Sequence, residues 1–64
     1  MDYIQKRNYK MSVKQLSYQQ LNDLHYKLNI LLESAPVENI KIINEKINLV
    51  IFEINEFDNV SLSY

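Results

Sequence analysis

Few side chains in this sequence are able to do chemistry, and their spacing suits capping and surface work better than catalysis. Glu53 and Glu56 stand three residues apart, which on a helix puts two carboxylates on one flank. Such a pair serves as acid and base only when it is positioned in a pocket. Its surroundings read as a solvated acidic edge, and Glu45 as another surface charge. His25, the single histidine, falls between Leu24 and Leu28 and is expected at the rim of a core. A histidine base needs a nucleophile in reach, and no serine or cysteine lies at helical contact spacing from it. Ser12, Ser17 and Ser34 fit a strand, a helix cap and a loop. Neither E-x-x-H nor H-E-x-x-H occurs, so a metal site inside a helix bundle has no basis. Cysteine is absent, which excludes disulfides and thiolate metal ligands. Glycine is absent too, and with it the loops that cradle phosphate. No catalytic, cofactor-binding or metal-binding residue is expected, no cofactor, and no enzyme activity.

Binding is the better prospect. Tyrosine is enriched at contact sites, and Tyr18 and Tyr26 fall beside the main apolar stripe of a predicted helix. Ile42, Leu49 and Phe52 form a second apolar stripe on the next helix. These five residues are the expected protein interface. The charge is −1 overall but unevenly placed. Residues 1–32 carry five cations against two acids, and residues 33–64 carry two cations against six acids. A negative total argues against general attraction to nucleic acid. The basic residues Lys6, Arg7, Lys10 and Lys14 nonetheless cluster early, and they are the candidate contacts if the partner is a nucleic acid.

The elements that hold these residues are helical. Ser17 and Gln20 have the S-x-x-Q spacing of a capping box, with Leu16 placed to staple onto Leu21. Leu21, Leu24, Leu28 and Leu31 then follow at steps of three and four, one face of a helix. Pro36 disfavours helical backbone at Ala35 and is tolerated in a first turn. Ile40, Ile43, Ile47, Val50, Ile54 and Phe57 continue as a heptad-like seam. The predicted fold is mainly α: helices over about 17–34 and 36–57, joined so closely that they pack as an antiparallel hairpin. Tyr9, Met11 and Val13 alternate with polar residues, as do Val60, Leu62 and Tyr64. This period of two predicts short β segments at 9–14 and 60–64. Residues 1–8 are expected as a flexible polar arm.

The chain has 64 residues and is read as one small domain. A fold of this size buries only about 60% of its unfolded surface. With no disulfide or metal available, a second subunit is the usual support. The second stripe exceeds what one neighbouring helix covers, so a homodimeric four-helix bundle is expected. The functional expectation is a non-catalytic protein–protein interaction module, of the kind phages and mobile elements use to inhibit or regulate a host protein. Abundant Ile, Asn and Lys fit a low-GC genome. The alternative is a small dimeric nucleic-acid-binding regulator, either a strand–helix–helix order like that of ribbon-helix-helix dimers or an RNA-binding helical hairpin. No apolar segment of signal-peptide or membrane-spanning length occurs. The cytoplasm of the source cell or of an infected host is the expected location, with no membrane partner.

Overall fold

The computed structural model describes residues 1–62, with side chains through residue 58. It is mainly helical: α1 spans Tyr3–Lys14, α2 Tyr18–Ser34 and α3 Val37–Leu62. Both α1 and α2 pack on α3. The start of α2 lies beside the far part of α3, where the Tyr18 hydroxyl donates to Asp58 at 3.3 Å. The other end of α2 joins α3 through Ala35 and Pro36, so these two helices run in opposite directions. α1 runs with α3: Met1 meets Glu45, and further along Lys10 meets Phe52.

Local chemistry explains each boundary. Ser17 caps α2, accepting from the Gln20 amide at 3.2 Å while its own amide donates to the Gln20 side chain at 2.9 Å. Asp2 and Gln5 repeat the device at α1: the Gln5 amide donates to Asp2 Oδ1 at 2.8 Å, and Gln5 Oε1 accepts from the Asp2 amide at 3.4 Å. Reciprocal capping satisfies two otherwise orphaned donors and opens a helix. α1 closes with tight bonds from the amides of Gln15 and Leu16 to the carbonyls of Ser12 and Val13. Ala35 is extended (φ −74, ψ 142), as the following proline requires. Neither turn uses a positive φ, which is how a chain without glycine makes both.

Three sequence expectations change here. Residues 9–14, expected as a strand, lie in α1. Tyr9 and Val13 are two steps apart in a strand alternation, but they are also an i,i+4 pair on one helix face. Met11 separates the readings: a strand would place it beside them, whereas here it is exposed while Val13 is buried. Residues 1–8, expected as an arm, lead into the same helix through the Asp2 cap. At the other end, 60–62 continue α3, since extending a formed helix fixes little extra chain per hydrogen bond gained. The rest of the 60–64 segment lies outside the described residues.

The core is small and takes residues from all three helices: Val13, Leu21, Leu28, Ile47 and Val50. Tyr9, Leu16, Leu24, Leu32, Ile43 and Ile54 pack around it, half-buried. Leu31, expected on the α2 seam, is 55% exposed, and Leu32 takes the inward position. At 3.6 residues per turn, four steps from Leu28 stay closer to the core side than three do here.

Two outcomes test this arrangement. Leu21→Ala is expected to cost about 2–5 kcal/mol in urea unfolding, while Leu31→Ala stays within about 1 kcal/mol. The first loss is a large share of the roughly 3–10 kcal/mol typical for this length. Asp2→Ala is expected to cost about 0.5–2 kcal/mol and to lower hydrogen-exchange protection in α1 while sparing α2. Equal loss in both helices would show that α1 is not separately capped.

Candidate functional site

The seam between α1 and α3 collects most of the residues that sequence singled out for binding. Val13 and Tyr9 hold α1 against α3 from within. The ammonium of Lys46 lies 5.4 Å from the centre of the Tyr9 ring, and that of Lys10 lies 5.1 Å from the centre of Phe52. Contacts of this type contribute about 0.5–1 kcal/mol at exposed sites. Burial pushes the Tyr9 phenol above its usual pKa, which keeps it neutral where it packs. The hydrogen bond from the Met1 amine at 2.9 Å, reinforced by the charges of that amine, Lys6 and Lys41, holds the Glu45 carboxyl below its usual range.

Along one side of the seam, Tyr3, Lys6, Arg7 and Lys10 of α1 stand around Leu49 of α3 in a shallow cleft of about 380 Å³. Towards the helix C-termini the surface continues as an open cleft of about 540 Å³ lined by Lys10, Lys14, Phe52, Glu53, Glu56 and Phe57. Leu49 and Phe52 thus come together with Lys6, Arg7, Lys10 and Lys14. Tyr18 borders the same end, its ring edge-on to Phe57 with centroids 5.7 Å apart. Tyr3 is 78% exposed and Phe52 49%, so the surface is open and substantially apolar.

Two expected interface residues lie elsewhere. Tyr26 is exposed on α2, away from α3. Ile42 belongs to a separate groove with Met1, Gln5, Asn8, Tyr9, Ser12 and Lys46. His25 is half-buried, with its Nε2 3.2 Å from the Asn29 amide nitrogen. Among the described residues no cluster of three His, Cys, Asp or Glu side chains is placed to hold a metal, and no helix is long and apolar enough to cross a membrane.

Sequence reasoning missed Tyr3 and misplaced Glu53. Expected on a solvated edge, Glu53 is only 7% exposed. Its Oε1 has no hydrogen-bond partner. Lys10 and Lys14 of α1 line the cleft beside it, and a helix over Tyr3–Lys14 was not expected. The available signal was the D-x-x-Q spacing of Asp2 and Gln5, the same kind of box as Ser17 and Gln20. Comparison with known proteins finds no match: no family model fits the chain, and no curated protein or solved structure is significantly similar to it.

The buried carboxylate yields a stability test. An apolar residue of similar volume in place of a buried charge is often neutral or stabilising, by up to about 4 kcal/mol. Glu53→Met is therefore expected to raise the urea midpoint. A drop of more than about 1 kcal/mol would show that the carboxylate contributes a contact the fold needs.

Proposed function

We propose that this chain is a non-catalytic protein-binding module whose α1–α3 seam recognises a partner surface that is acidic and partly apolar. The observation carrying this reading is one continuous face that joins exposed Tyr3 and Phe52 and half-buried Leu49 to four cations, all from α1. After Asp2, α1 carries no acidic residue. Contiguous apolar surface rimmed by polar groups is characteristic of protein contact sites. Aromatic residues and arginine contribute most at their centres. A chain that works by covering such a surface on another protein acts as an inhibitor or regulator of it, the role a phage- or mobile-element-type factor would have.

Self-association through the same face is the competing occupant. α1 covers part of the stripe that the sequence assigns to a second subunit, which lessens the need for a dimeric bundle. Light scattering at several concentrations separates the two. A monomer leaves the seam open to a partner, whereas a dimer that dissociates on Phe52→Asp assigns the seam to a second copy. A nucleic-acid reading is supported by the gathering of Lys6, Arg7, Lys10 and Lys14 on one helix beside aromatic rings. It predicts binding to a short RNA or DNA that weakens steeply with salt.

The decisive comparison is capture of a protein partner by three forms of the chain after nuclease treatment. Wild type and Tyr26→Asp are expected to retain the same partner, and Phe52→Asp to lose it by about tenfold or more in affinity. Retention by Phe52→Asp together with loss in Tyr26→Asp would move the interface to α2 and overturn the assignment.

A further inference from the structure

The cleft at the C-terminal end of the seam contains a nearly buried carboxyl group, one oxygen of which has no hydrogen-bond partner. Glu53 lies on α3 one turn beyond the buried Val50 and lines the cleft with Lys10 and Lys14 of α1. It is 7% exposed, and its Oε1 has no hydrogen-bond partner. Glu56, three residues on, lines the same cleft from the same side of α3. Phe52 and Phe57 supply aromatic walls, and both are substantially exposed. Lys10 and Lys14 form the α1 rim. The Lys10 ammonium sits on the Phe52 ring, and among the described residues neither lysine comes within ion-pair distance of Glu53.

Burying a charge is costly unless it is paired and hydrogen-bonded. Among the described residues no donor reaches Glu53 Oε1, so the cleft gains when one does. The donor must be cationic, able to stack face-on against an aromatic ring, and able to serve two carboxylates spaced one helical turn apart. Guanidinium meets each condition. It carries five N–H donors in a planar fork, pairs with carboxylates through two parallel bonds, and stacks on aromatic faces. An ammonium is a strongly hydrated point charge and satisfies only the first condition. The position of Lys10 on Phe52 shows that the aromatic wall already accepts a cation.

We propose that the cleft between Glu53, Glu56, Phe52 and Phe57 is a receptor for an arginine side chain of the partner protein. The proposal rests on the reading of the seam as a protein interface and adds the chemistry of its anchor. The partner segment then has an arginine, which enters the cleft, flanked by acidic residues that meet Lys6, Arg7, Lys10 and Lys14. Lys10 and Lys14 act as selective gates. They oppose a cation with no acidic neighbours and favour one embedded in an acidic segment, so specificity comes from a repulsive element as well as an attractive one.

The probe is N-acetyl-arginine methylamide, titrated into the full chain and followed by NMR at the Phe52, Glu53 and Phe57 signals. N-acetyl-citrulline methylamide, its neutral near-isostere, is the control. Saturable shifts at these residues with arginine, at least about tenfold weaker binding of citrulline, and a similar loss for arginine in Glu53→Gln are the expected results. No saturable shift, equal binding of citrulline, or unchanged arginine binding in Glu53→Gln would overturn the proposal. The citrulline comparison uses only the unaltered protein, so it holds even if the substitution disturbs folding. The probe reads the cleft without any partner. Failure here with retained partner capture would remove the arginine anchor alone, whereas loss of capture sensitivity at Phe52 would remove the interface.

Discussion

α3 is apolar around more of its circumference than one neighbouring helix can cover, and the architecture answers that constraint. Ile43, Ile47, Val50 and Ile54 face the α2 side, while Leu49 and Phe52 extend the apolar surface towards α1. Each large aliphatic side chain left in water forgoes about 1.5–3 kcal/mol, a heavy loss for a chain of 64 residues. Two flanking helices reduce it, and they do so unequally. α2 contributes Leu21 and Leu28 to the buried core, with Leu24 and Leu32 around them. α1 contributes only Val13 as a buried side chain, with Tyr9 beside it. α1 is therefore held by one anchor, by aromatic contacts with lysines, and by its own cap.

That weaker docking governs the electrostatics. Glu53, only 7% exposed, lines a cleft whose α1 rim carries Lys10 and Lys14. Basic residues of α1 and acidic residues of α3 thus line one cleft, without a side-chain ion pair between them among the described residues. Coulombic attraction through a partly solvated cleft is modest. Apolar burial of Val13 and Tyr9 is the main reason that α1 docks.

The helical pair α2–α3 is legible in the sequence because several local signals agree. The Ser17–Gln20 box, the leucine steps, Pro36 and the isoleucine seam all point to the same boundaries, and redundancy of that kind makes a pattern readable. α1 is not legible by periodicity, because Tyr9 and Val13 satisfy both a strand alternation and a helical i,i+4 step. The deciding residues are Asp2 and Gln5, whose spacing has meaning only as a cap. The same omission propagates to the site. Leu49, Phe52 and the four cations are individually readable as binding residues, but they become one face only when α1 lies along α3. Glu53 lines its cleft with Lys10 and Lys14, some forty positions earlier, and nothing local to Glu53 records that proximity.

The proposed placement of a binding face on a weakly docked helix has a thermodynamic consequence. A partner that contacts both α1 and α3 stabilises their docking by mass action, because it binds the docked form and not the separated one. Part of the intrinsic affinity is then used to order α1, and the apparent affinity falls with the docked fraction. A face built wholly on the α2–α3 pair would avoid that loss but would have little cationic surface, since Lys6, Arg7, Lys10 and Lys14 all belong to α1. Charge and apolar surface come together in this chain only by accepting the weaker helix as one wall of the site. The Asp2–Gln5 capping box would matter to the proposed recognition for that reason: it lowers the cost of forming α1.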